Sequence, residues 1–143
     1  MLEKHGWEIY AKDAQHLLQI WKDEKIKEIK RYDVSPEVNG FTINGMHMWL
    51  DKATRASLML RLQAEKQLGK NDTCIWYNET SFTVPVEQAI YMLYQLENYA
   101  AQCYDNTQKH IATVQQLNDV EEVKGYDYTT GYPSQPSFNT SIL

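Results

Sequence analysis

The sequence predicts an α+β protein of three helices, the third very long, and two short β-hairpins. The order is helix, hairpin, helix, hairpin, helix, followed by an extended C-terminal tail. Three observations predict this fold: long stretches with apolar residues three and four apart, two β-rich runs that each contain a turn asparagine, and a terminal segment rich in Tyr, Pro and Ser. The 143 residues, of which 43% are hydrophobic, suffice for a core.

The first helix is predicted over residues 13–31. Its apolar residues, among them Leu18 and Trp21, follow the helical period, and Lys25 interrupts the apolar face. The mixed charges of its second half are interpreted as a solvent-exposed face rather than a nucleic-acid patch, because the whole chain is acidic. Pro36 ends the helix, since a residue before proline is disfavoured in the helical conformation.

The first hairpin is predicted over residues 38–50. Its turn is Asn44-Gly45, a pair that readily supplies the positive φ angles of a type I′ turn. Because side chains alternate along a strand, Phe41 and Ile43 are expected to share one face.

The second helix is predicted over residues 52–68, with Asp51 as its N-cap and Gly69 as the left-handed residue after its end. A second hairpin follows over residues 73–84 and turns at residues 78–80. The spacing predicts one apolar helix face and two leucines beside it: Ala53, Ala56, Leu60 and Ala64, then Leu58 and Leu62.

The third helix is predicted to begin at Pro85, which suits the first helical position, and it carries nearly five heptads. Two rows of residues form its seam: Val86, Leu93, Ala100, Thr107 and Val114 at position a, and Ala89, Leu96, Cys103, His110 and Leu117 at position d. Because Thr107 and His110 are polar, packing against the first helix and the hairpins is favoured over an isolated coiled coil. A homo-oligomer through the far half of the long helix is left open.

The chain is divided from the sequence into three segments. Residues 1–36 are an amphipathic helical segment, residues 37–124 hold the hairpins with the second and third helices, and residues 125–143 are the Tyr/Pro/Ser-rich tail. The tail is interpreted as extended, either draped over the domain or ordered by a partner.

Charge and composition exclude several classes of function. A net charge of -5 disfavours nucleic acid as a partner. No apolar stretch is long enough for a bilayer or a signal peptide, so no membrane partner is expected, and synthesis is expected in the cytoplasm with both cysteines reduced.

No catalytic, cofactor-binding or metal-binding residues are predicted. The four histidines are scattered, and the chain has neither a nucleophile elbow nor a glycine-rich phosphate loop. Cys103 and His110 are interpreted as core residues. An enzyme would require a cleft that brings Glu97, Asp105 and His110 together.

Aromatic residues are the most suggestive feature, because Trp and Tyr dominate the centres of protein interfaces. Half or more of them could instead belong to the core. The residues predicted to form a protein-interaction surface are Trp49, Trp76, Tyr77, Tyr126, Tyr128, Tyr132 and Phe138.

Two strings carry a resemblance to a known family. They are Trp-Leu-Asp-Lys-x-Thr-Arg at residues 49–55 and Tyr-Asp-Tyr-Thr-x-Gly-Tyr-Pro at residues 126–133. With the stretches between them, from about residue 25 onward, they resemble an uncharacterised domain family of bacteriophages and prophages, notably those of gut Bacteroidales. Residues 1–24 have no counterpart in it.

The resemblance implies a context more than a mechanism. Such domains look like parts of phage tail or tail-fibre proteins, or small tail-fibre assembly proteins, with no established catalytic residues. The expected role is therefore that of a non-enzymatic tail-associated protein, either a tail-fibre assembly factor or a minor virion component, that binds another tail protein. The alternative is an early phage effector that binds and inhibits a host protein.

Overall fold

The computed structural model describes residues 12–139. It confirms the α+β class, with 59% helix, 17% strand, one long helix and small sheets. Its elements in chain order are α1 (Ala14–Asp33), α2 (Pro36–Asn39), β1 (Gly40–Ile43), β2 (Met46–Trp49), α3 (Lys52–Gln67), β3 (Asp72–Tyr77), β4 (Thr80–Pro85), α4 (Val86–Gln116), α5 (Val120–Lys124) and β5 (Ser137–Phe138). The short elements α2, α5 and β5 were not predicted.

The chain forms two compact units. The helical unit comprises the described residues up to Asp33 together with Tyr104–Tyr132, and the hairpin unit comprises Val34–Cys103 with the described residues from Pro133 onward. The long helix α4 contributes its first part to the hairpin unit and its last part to the helical unit. The three-segment division made from the sequence stays a prediction.

The helical unit is built on α1, whose bounds differ by one or two residues from those predicted. Its fully buried apolar residues are Ile29, Val114 and Val123, and partly buried residues such as Trp21 pack around them. These side chains come from α1, α4 and α5, so each helix contributes one residue to the centre of this core.

Two lysines of α1 are buried, which corrects the interpretation of this region as a solvated face. The Nζ of Lys22 donates to the carbonyl oxygen of Gln115 at 2.8 Å, and the Nζ of Lys25 donates to that of Lys124 at 3.1 Å. Both carbonyls lie at helix C-termini, where the helix itself supplies no donor. The lysines therefore cap α4 and α5 and bury their aliphatic stems in doing so.

The hairpin unit contains two small sheets. In the first, β1 pairs antiparallel with β2 and parallel with β5. Asn44 and Gly45 have φ angles of 51° and 80°, which confirms the predicted turn. Phe41 and Ile43 are both buried on one face, also as predicted.

The second sheet contains only β3 and β4, in antiparallel register from Asp72↔Pro85 to Tyr77↔Thr80. Ile75, Phe82 and Val84 face the core of this unit. They pack in one cluster with Leu62 of α3 and Leu93 of α4. The sheet is thus anchored through one face, and its other face is exposed.

The predicted apolar face of α3 is wrong. Its members Ala53, Ala56, Leu60 and Ala64 are all exposed, Leu60 by 69%. The buried residues are Arg55, Leu62 and Glu65. Two of the three are charged, and their burial depends on polar partners, Glu97 for Arg55 and Thr73 for Glu65, which a pattern of apolar spacing cannot detect. The predicted N-cap is confirmed, because Oδ1 of Asp51 accepts a hydrogen bond from the backbone N–H of Thr54 at 2.7 Å.

Eight of the ten predicted seam residues of α4 are buried, in both units, whereas Ala100 and Leu117 are only partly buried. Val86, Ala89, Leu93 and Leu96 belong to the core of the hairpin unit, and Val114 belongs to that of the helical unit. The polar seam residues Thr107 and His110 are buried as well. A homo-oligomer through the far half of this face would therefore have to displace contacts made within the chain.

Glu65 is expected to make the stability of the hairpin unit sensitive to acid. The hydroxyl of Thr73 donates to its Oε1 at 2.7 Å and the ammonium of Lys70 lies 3.0 Å from Oε2; these groups hold the pKa of Glu65 below its usual value of 4.5. A lowered pKa stabilises the fold above the unfolded pKa, and this contribution is lost as the pH falls through the folded one.

Glu65→Gln should therefore cost about 1 kcal/mol near pH 7 and progressively less below about pH 4.5. Urea unfolding at a series of pH values measures this difference. Glu87→Gln is the matched control, because the Glu87 side chain is 80% exposed. A cost at Glu65 that stays constant down to pH 3 would contradict the prediction.

Candidate functional site

The Tyr-rich string folds back onto α4 within the helical unit. Nδ1 of the buried His110 lies 2.6 Å from the Tyr126 hydroxyl, and Nε2 lies 2.7 Å from the carbonyl oxygen of Thr130. A carbonyl oxygen only accepts, so Nε2 carries the proton and donates. In the neutral ring Nδ1 then accepts from the Tyr126 hydroxyl, and both ring nitrogens are satisfied.

Further contacts hold the same segment. The hydroxyls of Thr107 and Tyr132 lie 2.7 Å apart, and Asn106 donates to the carbonyl oxygen of Thr130 at 2.8 Å. The ring of Tyr32 in α1 meets the rings of Tyr128 and Tyr132 edge-on, with centroids 5.5 and 5.6 Å away. We call residues 126–132 with these contacts the tyrosine clasp. Its polar groups hold the segment against α4.

Asp33 lies beside the clasp at the end of α1. Burial raises the pKa of its carboxyl group, and a hydrogen bond with Thr107 opposes this rise. Asp127 lies within the clasp at its exposed side, where hydrogen bonds from the hydroxyl and the backbone N–H of Thr129 lower its pKa. The two carboxyl groups are thus perturbed in opposite directions by different causes.

The second string, at residues 49–55, also has an internal role. Arg55 is buried; its Nε donates to Oε1 of Glu97 at 2.6 Å and its Nη1 to the carbonyl oxygen of Leu50 at 2.7 Å. This guanidinium joins the start of α3 to α4 within the hairpin unit. Trp49 ends β2 opposite Gly40 of β1 and is partly buried.

The residues predicted to bind a partner differ in exposure. Trp76 is 63% exposed on the outer face of β3. The six others are partly buried: Trp49, Tyr77, Tyr126, Tyr128, Tyr132 and Phe138. Tyr77 and Phe138 pack against the core of the hairpin unit, whereas Tyr126 and Tyr128 pack against that of the helical unit. Of the seven residues, only Trp76 exposes most of its side chain to solvent. The role of all seven as partner contacts stays a prediction.

The tail packs along the chain as far as Phe138, which is the first of the two alternatives given for it above. Gln135 donates to the carbonyl oxygens of Pro36 and Glu37, and β5 adds to the edge of β1. Residues 140–143 at the end of the predicted tail, and residues 1–11 of the segment without a counterpart (residues 1–24), lie outside the described residues.

Three exposed tyrosines of α4 were missed. Tyr91 and Tyr94 are 61% and 58% exposed, and Tyr104 is similar. The heptad assignment could have predicted their exposure, because all three tyrosines occupy positions outside a and d. Tyr91 and Tyr94 lie three residues apart and are therefore neighbours on the helix surface of the hairpin unit. We call them the tyrosine pair.

No group of three or more His, Cys, Asp or Glu side chains within residues 12–139 could hold a metal ion. Glu97 pairs with Arg55, Asp105 is exposed, and His110 is enclosed in the clasp. A cavity of about 20 Å³ in the hairpin unit is lined by apolar side chains such as Phe41, and it is too small for an organic substrate.

In the part of the chain that the structure describes, every helix is too short or too polar to cross a membrane. Comparisons of the chain with protein-family models, with curated proteins and with solved structures find no match. The resemblance to a domain family of bacteriophages and prophages therefore depends only on the two strings and the other stretches of sequence from about residue 25 onward.

Proposed function

We propose that the protein is a non-enzymatic phage or prophage tail-associated protein, either a tail-fibre assembly factor or a minor virion component, that acts by binding another protein. The observation that carries the proposal is the exposure of Trp76 on the outer face of β3 and β4. A partner can bury the large apolar surface of an exposed Trp at little entropic cost. Tryptophans at the centres of interfaces contribute much of the binding energy.

The tyrosine pair supports the same proposal. Between Tyr91 and Asn98 the other exposed side chains are Gln95, Asn98 and Glu97, and the charge of Glu97 is paired with Arg55. Interface centres are depleted in charge and enriched in aromatic residues. The phage context is supported by the resemblance, and it implies synthesis in the host bacterial cytoplasm followed by action at the tail.

The binding surface can be tested by co-purification of the tagged chain with tail proteins of the phage that encodes it. Trp76→Ser and the double variant Tyr91→Ser/Tyr94→Ser are each expected to weaken binding about tenfold or more, because they remove the exposed aromatic area. Leu60→Ser is the matched control, since it removes an equally exposed apolar side chain from α3. Retention of the tail protein by both aromatic variants would overturn the assignment of the surface.

Mass spectrometry of purified phage particles distinguishes the tail-associated role from the effector alternative. Presence of the chain in particles, or its binding to a tail protein during assembly, supports the proposal. Absence from particles combined with early expression and binding to a host protein would replace it with the effector alternative.

A further inference from the structure

The two-stranded sheet leaves the outer edge of β3 without a neighbouring strand among residues 12–139. Such an edge presents free backbone donors and acceptors, and proteins commonly protect it with Lys, Pro or a bulge. β3 contains neither Lys nor Pro, its pairing with β4 is continuous, and its only charged residue is Asp72 at the first position. A further strand can therefore add to it.

One hydrogen bond identifies which residues face this open edge. The backbone N–H of Val86 donates to the carbonyl oxygen of Asn71 at 2.9 Å. Because bonding alternates along an antiparallel pair, the backbone groups of Asp72, Cys74 and Trp76 point away from β4. The side chains of the same three residues lie on the outer face, with Asp72 and Trp76 exposed and Cys74 half-buried.

We propose that β3 pairs antiparallel with β3 of a second copy of this chain, which joins the two hairpins into a four-stranded sheet. The twofold axis passes between the two Cys74 residues. Cys74 therefore faces Cys74 of the second copy, and Asp72 faces its Trp76. Every outward-facing residue then meets another, and about six backbone hydrogen bonds form. This inference goes beyond the proposed function, because it needs no phage partner.

The charges fit this register. Lys70, two residues before β3, is 56% exposed and also pairs with Glu65 of its own chain; in this register it comes to lie opposite the turn of the second copy that carries the exposed Glu79. The twofold axis makes this contact occur twice. Neither Asp72 nor Lys70 faces a like charge. Opposite charges across neighbouring strands stabilise a pair, whereas like charges destabilise it.

The other open edge is less suitable. The outward-facing residues of β4 are Ser81, Thr83 and Pro85, by the same alternation. Pro85 has no N–H to donate, so self-pairing of β4 would lose hydrogen bonds at both ends. The comparison favours β3 as the self-pairing edge.

Oxidation of the full chain with diamide tests the register. Directly opposed residues in a hydrogen-bonded antiparallel pair have Cα atoms about 5.5 Å apart, which a disulfide can span. Diamide takes up the two electrons and two protons of the thiols. We expect a covalent dimer on a non-reducing gel, its loss in Cys74→Ser, and its persistence in Cys103→Ala, since Cys103 is fully buried.

Sedimentation velocity under reducing conditions tests the pairing itself. Cys74→Lys places two ammonium groups opposite each other and should raise the dimer dissociation constant about fivefold or more. Thr83→Lys is the matched control, because Thr83 is the direct neighbour of Cys74 on β4 and lies on the same face. It should change the constant by less than about twofold.

Circular dichroism and thermal unfolding show whether both lysine variants stay folded. A wild-type chain that remains monomeric at submillimolar concentration would overturn the proposal, as would equal loss of the dimer in both variants. A dimer that persists in Cys74→Lys and does not cross-link through Cys74 would place the interface elsewhere. None of these outcomes depends on the phage context.

Discussion

Replacement of His110 by Ala is expected to destabilise the protein by about 3 kcal/mol, with unfolding beginning in the tyrosine clasp. His110 is buried and both ring nitrogens are hydrogen-bonded, so the truncation leaves the part-buried Tyr126 hydroxyl without this partner and removes one of the two donors of the Thr130 carbonyl, which keeps Asn106. Loss of a buried hydrogen-bond partner costs about 1–3 kcal/mol, and the emptied volume of the imidazole adds to this. Urea unfolding, followed by near-ultraviolet circular dichroism of the tyrosines, measures the effect.

Two control variants distinguish the loss of the clasp contacts from a general destabilisation of α4. Tyr126→Phe removes one hydrogen bond and keeps the ring, so it should cost about 1 kcal/mol. Lys109→Ala changes an exposed neighbour and should be nearly neutral. If His110→Ala costs no more than Lys109→Ala, the clasp does not stabilise the helical unit.

Substitution of Gly40 by Ala is expected to cost about 3 kcal/mol or more in the hairpin unit. A Cβ at this position would overlap the carbonyl oxygen of Pro36 and the imidazole of His47. The backbone conformation is not the cause, because φ of Gly40 is -76°, a value open to any residue. The carbonyl belongs to α2 and cannot rotate away as a side chain can, so the hairpin must shift. Thermal unfolding measures the loss.

Gly69→Ala is the comparison for the steric effect. Gly69 has a φ of +77°, and a Cβ added there would meet no other atom within 4 Å. Its cost should be only the left-handed penalty of about 1 kcal/mol. The double variant Gly40→Ala/His47→Ala should recover only part of the loss, because the Pro36 carbonyl remains. A Gly40→Ala variant as stable as Gly69→Ala would show that the contact is not tight.

The elements that the sequence predicts well are those governed by neighbouring residues. The turn at Asn44-Gly45 follows from the positive φ angles that this pair tolerates. The burial of the α4 seam follows from its heptads, and the same assignment places Tyr91 and Tyr94 on the outside. Each signal lies within a few residues of the element that it specifies.

The candidate site was only partly predictable. Trp76 was identified correctly as an aromatic residue with most of its side chain exposed, but Tyr126, Tyr128 and Tyr132 pack largely inside the chain. Composition reveals a surplus of tyrosines, yet it cannot distinguish a tyrosine held by His110 from one that faces solvent. That distinction depends on which side chains the fold brings close.

The sequence by itself determined the α+β class, the long helix, the first turn and the cap of α3, because periodicity and backbone preference act locally. The tertiary structure alone decided which face of α3 is buried and that two lysines of α1 cap other helices. Arg55 meets Glu97 across 42 residues, and Lys22 meets Gln115 across 93. A polar residue can be buried only where a partner completes its hydrogen bonds, and the folded chain supplies that partner from a distance at which sequence spacing carries no signal.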